Sequence, residues 1–450
     1  MPLKYNVMIQ NRKKHIKKFM FTAFFITFLG LLTGIQDASA FYQDDADQEI
    51  EYNLYKGEVL DSKTKKPLVF ASLAIEESNI STITNAEGEF SLKIPKAISD
   101  ANVIVSFLGY STRTISLTEL SKDKNKILMT ISITELPGVN IEVPQDAEAL
   151  VRDVLKKKGE NYFDDPTLMT AFYRETIKKR RKNVSLSEAV VNIYKTPYTS
   201  LKKDGVKLYK ARKSTDYDKL DTVALKLQGG PFNALFVDIM KYPEYIFSPE
   251  TLDYYVFKFD HSTRVNDKLV YVINFEQNSQ VIDPLYKGKL YIDAENKILT
   301  SAIYSLNITD KVLAARLFVR RKPRNAQVWP TDVAYRVDYR EKNGKWYYSY
   351  SNVLLEFKVN WDKRLFNSIY SMTCEMAVTD WKKNMAAEFP KAKDRIKTSI
   401  ILSDEAIGFA DPDFWGQYNI IEPEKSIESA IKKIQRQLRR ANSDGGTSIP

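Results

Sequence analysis

Val353-Leu354-Leu355-Glu356-Phe357-Lys358-Val359-Asn360-Trp361 places Val353, Leu355, Phe357, Val359 and Trp361 on one side, with Glu356, Lys358 and Asn360 on the other. A period of two is the pattern of a β-strand with one buried and one wetter face. Tyr255, Phe257 and Phe259 alternate in the same way with Lys258 and Asp260. So do Leu269, Tyr271, Ile273 and Phe275, and Val333, Tyr335, Val337 and Tyr339 against Arg336, Asp338 and Arg340. Short polar connections between such runs make the neighbours antiparallel. Residues 251–422 therefore read as a β-meander with one broad apolar face, and whatever covers that face bears on function.

The stretch before the meander, residues 144–250, is expected to supply the cover. Ala147, Leu150, Val151, Val154 and Leu155 share one face of a helix over Ala147–Lys158, with Gly159 as its C-cap. Thr167 to Tyr194 reads as a hairpin, with Met169, Ala171, Tyr173 and Glu175 on one side of its first strand. Phe232, Leu235, Phe236, Ile239 and Met240 then fall at i, i+3, i+4, i+7 and i+8 after Gly229-Gly230-Pro231. That spacing predicts an apolar helix of about ten residues, with Pro231 at its first position and a glycine hinge before it. These five side chains are the candidate ligand-binding residues, lining or capping the sheet's apolar face, with a permanently docked core helix as the weightier alternative.

The chain opens with Arg12, Lys13, Lys14, Lys17 and Lys18, an apolar run from Phe19 to Ile35, and Ala38-Ser39-Ala40. Basic, apolar and small residues in that order read as a secretory signal peptide over residues 1–40, cut after Ala40, with an uncleaved membrane anchor as the rival reading. An acidic leader follows over 41–51. Without the six basic residues and one acidic residue of 1–40, 61 basic and 56 acidic residues remain, a charge of +5. So mild an excess does not imply nucleic acid. The single Cys374 excludes an internal disulfide and reads as a small buried apolar residue.

Residues 52–143 carry short β runs in a fixed order. They include Gly57/Val59/Asp61, Pro67/Leu68/Ala71, the turn Thr84/Asn85/Gly88/Phe90, and Ser106/Gly109/Tyr110. This set resembles the carboxypeptidase-regulatory-like (transthyretin-like) domain, a small β-sandwich. The same domain stands at the N-terminus of TonB-dependent outer-membrane receptors. No long series of barrel strands follows it within these residues, so such a receptor is not the expectation. The hairpin Tyr286–Asp293 and Ile298–Ala302 resembles one in periplasmic lipoprotein carriers, half-barrels that hold acyl chains. Phe414-Trp415-Gly416-Gln417-Tyr418-Asn419-Ile420-Ile421-Glu422-Pro423 resembles a segment of envelope proteins that carry a regulatory-like domain. Its aromatic residues are expected to cover a sheet edge. Residues 423–450 are read as a last helix, about Glu424 to Arg440, and a loose tail.

The expected fold class is thus mainly β (α+β): a small transthyretin-like β-sandwich, then a large antiparallel sheet with a few covering helices. No catalytic residues are assigned. A zinc carboxypeptidase needs two His and a Glu, and only His261 remains after residues 1–40. His261 is expected in a polar turn, and no Gly-x-Ser-x-Gly elbow or phosphate-binding Gly-rich loop occurs. Asp411 and Asp413 form a turn-like carboxylate pair rather than a catalytic one. No metal and no cofactor is expected. Lys178–Lys182 and Arg320–Arg324 are basic clusters at loop positions, read as solvated hairpin ends with lipid phosphate as the rival use. Two functions fit. One is a non-enzymatic secreted protein of the periplasm or outer membrane, binding an apolar, lipid-like ligand on its sheet. The other is an adaptor whose sandwich docks onto an outer-membrane or periplasmic protein; a hydrolase ranks below both.

Overall fold

The computed structural model describes residues 50–132, 146–180, 182–215, 227–248, 250–265, 268–319, 322, 324–362, 365–408 and 414–425. The expected signal peptide, most of the expected leader, Asp411 and Asp413, and the expected helix beyond Lys425 lie outside these residues.

Among the described residues, seven strands build the N-terminal part: β1 (Tyr52–Asp61), β2 (Ser72–Ile75), β3 (Ser81–Ile83), β4 (Glu89–Pro95), β5 (Asn102–Ser106), β6 (Arg113–Ser116) and β7 (Asn125–Met129). They form two sheets, β4-β1-β7 and β3-β2-β5-β6, around Val59, Leu73, Phe90, Leu92, Val103 and Val105. The sequence motifs explain the turns. Asn85 Oδ1 accepts from the amides of Glu87 and Glu89, and Gly88 takes a positive φ of 74°. Thr84 Oγ1 accepts from Ala71 N and donates to Leu68 O. Asp61 accepts from the Thr64 amide and hydroxyl and from Tyr110, which holds its carboxyl down at about 2. Two of the motif blocks thereby close on one another, and their work is structural.

Two short helices follow, α1 (Ala147–Lys156) and α2 (Lys158–Asn161). Asp146 caps α1 by accepting from Ala149 N at 2.9 Å, and α1 lays Ala147, Leu150, Val151 and Val154 inward. Gly159, expected as a C-cap, instead lies within α2; Lys157 ends α1.

The large sheet begins earlier than the alternation implies. β8 (Thr167–Lys179), β9 (Lys182–Lys195) and β10 (Gly205–Thr215) belong to it, so the region expected as a cover supplies three of its strands. After a one-turn helix α3 (Phe232–Leu235) come β11 (Tyr255–Val265), β12 (Lys268–Gln277), β13 (Tyr286–Asp293) and β14 (Ile298–Leu306). Helix α4 (Lys311–Phe318) leads to three long strands, β15 (Ala326–Lys342), β16 (Lys345–Trp361) and β17 (Ser368–Lys383). Helix α5 (Leu402–Glu405) and the two-residue β18 (Ile407–Gly408) close the series. Among the described residues the order is β11-β12-β13-β14-β15-β16-β17-β8-β9-β10-β18, antiparallel except for β18. His261, expected in a turn, sits within β11 opposite Val272, just past a bulge at Asp260.

Two faces, two covers. One face carries the main core, including Met169, Tyr173, Val191, Val353, Phe357 and Met372. The opposite face, expected to be wet, is buried at its centre, where Phe172, Val190, Tyr350 and Ala377 pack with Trp415, Ile421 and Ile83. Its cover is the sandwich together with residues 414–425. Ser81 and Asn79 donate to the carbonyls of Val378 and Trp381. Asn419 exchanges two hydrogen bonds with the Lys93 backbone, at 2.7 and 2.9 Å. Trp415 lies edge-on to Phe172 and under Arg212, so the aromatic segment covers a sheet face rather than an edge.

Candidate functional site

The segment 227–248 crosses the core face as a strap. The five apolar residues keep their helical spacing, yet the chain completes only one α turn, Phe232–Leu235, instead of the ten-residue helix expected. Phe236 N still bonds Phe232 O, but Val237 N and Asp238 N bond three residues back, to Ala234 and Leu235. The strap's polar groups turn instead to the sheet. Ser351 donates to Ala234 O at 2.8 Å, and Met240 N donates to the Tyr339 hydroxyl. Tertiary partners replace the helical ladder, so continuing the helix gains nothing. Pro231 stands as the N-cap rather than the first helical residue. Gly229 and Gly230 adopt φ values of 123° and 51°, which favour glycine. The Gly229 amide is itself bound to Ile400 O.

The strap's far half is bolted by a buried ion cluster. Lys195, at the end of β9, donates to Asp204 at 2.8 Å and to Asp238 of the strap at 2.7 Å. Tyr242 donates to Asp204 at 2.7 Å and Tyr339 to Asp238 at 2.9 Å. Burial alone would pull the Lys195 ammonium down, but the two carboxylates outweigh it and the net shift is upward. Lys241 is pulled down to about 8 by burial, and donates to the carbonyls of Pro197 and Ser200.

Between the strap's near half and the sheet lies a cavity of about 810 Å³. Its floor is the sheet, notably Val353, Leu355, Phe357, Met372 and Cys374; Leu317, Phe318 and Val319 at the end of α4 form one wall. Tyr286, Tyr304 and Tyr335 pack together along the lining, the last two stacked at 4.9 Å. Tyr245 and Leu317 bring the lining to the surface, 43% and 56% exposed. Of the five candidate residues the structure sets Phe232 and Phe236 on the wall. Leu235, Ile239 and Met240 are buried in the core and do not line the cavity. The alternating sheet residues could have been read as floor from their period; nothing local indicated the α4 wall.

The strand period places Glu175 on the core face but does not reveal its setting beneath the floor. Glu175 lies across from Cys374 on β17 and Ser187 on β9. Burial pushes its carboxyl up to about 7, opposed by the hydrogen bond that Tyr173 donates at 3.0 Å. Burial, and then the charge of Glu175, push the Cys374 thiol up to about 12. A thiol so held is a poor nucleophile. Among the described residues no group of three or more His, Cys, Asp or Glu is arranged to hold a metal ion.

The Glu175 shift sets a pH dependence. A folded value raised above the ordinary 4.5 means that the native state keeps a proton the unfolded chain releases. Stability is therefore lost as pH rises from about 4.5 to 7, by about 3 kcal/mol, and stays constant above that window. Glu175→Gln should match wild type at the acid end and exceed it by that amount at pH 8 in urea unfolding. Parallel pH profiles for the two proteins would refute the assignment.

Residues 55–141 match the CarboxypepD_reg-like domain family, a non-catalytic immunoglobulin-like fold. This is the class of module that the seven-stranded sandwich represents. No curated relative matches the chain. A DUF1329 family protein from Desulfovibrio piger ATCC 29098 is similar over 53% of this chain and 94% of its own, at 8% identity and a TM-score of 0.22. A protein of unknown function from Bacteroides fragilis NCTC 9343, described as a candidate membrane-associated protein, is similar over 74% of this chain and 99% of its own. Its identity is 11% and its TM-score 0.14. Likeness at these scores carries no argument about function. Among the described residues no helix is long and apolar enough to cross a membrane, which says nothing of β-barrels.

Proposed function

We propose that the protein is a non-enzymatic, secreted component of the cell envelope, in the periplasm or at the outer membrane, that binds an acyl-chain lipid in the cavity beneath the strap. The observation that carries this reading is the cavity itself: about 810 Å³, lined mainly by apolar side chains and reaching the surface. That volume lies within the range of about 300–1,000 Å³ of small-ligand sites. A chain burying about ten methylenes there gains about 8 kcal/mol, a micromolar dissociation constant before ordering costs. Residues 12–40, with their basic, apolar and small-residue order, support export. The adaptor reading requires a groove filled by the protein's own segments, and its sandwich is already engaged against the large sheet.

The test fills the space. Leu355→Trp with Met372→Trp adds bulk to the floor without removing a buried partner. Binding of a fluorescent 16-carbon fatty acid should fall at least about tenfold, with the unfolding midpoint little changed. Lipid should also be recovered from wild type by native mass spectrometry. Wild type without lipid and with no affinity for the fatty acid would leave the adaptor reading standing.

A further inference from the structure

Three connections meet at one end of the large sheet. The β8–β9 turn holds Lys178, Lys179, Arg180 and Lys182, and the β16–β17 turn holds Leu365 and Phe366. They are neighbours: Lys179 pairs with Tyr370, and Arg180 N donates to Ile369 O at 2.9 Å. The approach to β15 carries Lys322 and Arg324 and is joined to the end of β16 by Asp362 N donating to Asn325 O. Leu365 is 97% exposed and Phe366 78%. Two large apolar side chains stand exposed at a turn that shares its end of the sheet with these cations, a combination that folding alone does not call for. Of the cations, Lys178 is paired with Glu424 at 3.4 Å, Lys179 lies over the Tyr370 ring, and Lys322 donates to Ala326 O. Among the described residues at this end, Asp362 and Glu424 are acidic.

We infer that this end is a membrane-docking face: Leu365 and Phe366 enter the interfacial layer of a bilayer, and Lys178, Lys179, Arg180, Lys182, Lys322 and Arg324 face its anionic headgroups. The combination distinguishes a bilayer from a protein partner. A protein interface of ordinary size buries about 800 Å² on each side and is depleted of charge at its centre. Two exposed apolar side chains at the same end of the sheet as six Lys and Arg supply instead the paired apolar and electrostatic signals of a peripheral membrane protein. The face is also continuous with the cavity. Lys322 belongs to both, and the cavity residue Phe357 pairs with Tyr370, within about 13 Å of chain from Phe366. A lipid leaving the bilayer here would meet the Phe318 wall first. The docking itself stands apart from the cavity's contents and holds whether or not the cavity takes an acyl chain.

The experiment is flotation of the mature form, beginning at Phe41, with vesicles of phosphatidylglycerol and phosphatidylethanolamine and with vesicles of phosphatidylcholine alone. Wild type should float with the anionic vesicles, and less so in high salt. Leu365→Ser with Phe366→Ser should lower the partition coefficient at least about tenfold. Both side chains are exposed, so the unfolding midpoint should not move. Arg180→Glu with Lys182→Glu should weaken binding to the anionic vesicles and flatten the salt dependence. Trp at position 366, made as Phe366→Trp, should shift its emission to the blue on contact with them. Flotation unchanged in the double-serine variant, or no flotation of wild type, overturns the inference. So does a concentration-dependent dimer that the double-serine variant abolishes, which would assign the tip to a second copy of the chain.

Discussion

Lys195→Met is expected to destabilise the protein by about 3–5 kcal/mol and to loosen the strap. The ammonium is buried between Asp204 and Asp238, at 2.8 and 2.7 Å, with both carboxylates fully buried. Methionine fills similar volume but leaves two carboxylates in a site walled by Tyr198, Tyr242 and Tyr348. One of them must then take up a proton or stay charged without a cation, and both are costly. The hydrogen bonds from Tyr242, Tyr339 and Thr196 offset only part of this. Adding Asp204→Asn and Asp238→Asn to Lys195→Met should restore much of the loss, because the expense lies in the unpaired charge. Urea unfolding measures the first effect, and proteolysis near Gly229-Gly230 reads out the strap. A loss under about 1 kcal/mol would mean that the cluster does not anchor it.

Arg174→Met should act on the other face, at a cost of about 3 kcal/mol or more. Glu375, Arg174, Glu188 and Arg212 lie side by side across β17, β8, β9 and β10, a ladder of alternating charge. Arg174 bonds Glu188 at 2.7 Å and Glu375 at 3.2 Å, and donates to Ile421 O at 2.7 Å. Without it Glu188 keeps Arg212, at 2.9 Å, but Glu375 loses its partner. Burial already holds the Glu375 carboxyl above its ordinary range, and removing the cation pushes it further in that direction. Residues 414–425 also lose a donor to their backbone, so Trp415 should become accessible to quenchers and the segment to trypsin. Arg174→Lys should rescue little, since one ammonium cannot reach both carboxylates and the carbonyl. Retained Trp415 burial in Arg174→Met would show that the segment is held by its apolar contacts alone.

Much of this architecture is local in origin. The period of two in β11, β12, β15 and β16 follows from backbone pleating, which any strand with one buried face imprints on its own sequence. The sandwich motifs are legible for a similar reason. Gly88 needs its positive φ, and Asn85 bonds amides two and four residues away. The strap shows where local reasoning ends. Its helical spacing is real, but Ser351, Tyr339 and Lys195 hold it by partners far off in sequence, so α3 stops after one turn.

The sequence by itself determined the mainly β class, the sandwich, the alternation of the large sheet and the apolar character of Phe232 to Met240. Only the tertiary structure decided that β8–β10 join that sheet, that its centre is buried on both faces, and that Arg174 and Glu188 sit inside as an ion ladder. It also decided that Phe232 and Phe236 border a cavity while Leu235, Ile239 and Met240 fill core. The physical reason is that a strand's period is written by its own backbone. A cavity is the volume left among side chains as distant in sequence as Phe232, Leu317 and Met372, and no one stretch of chain records it.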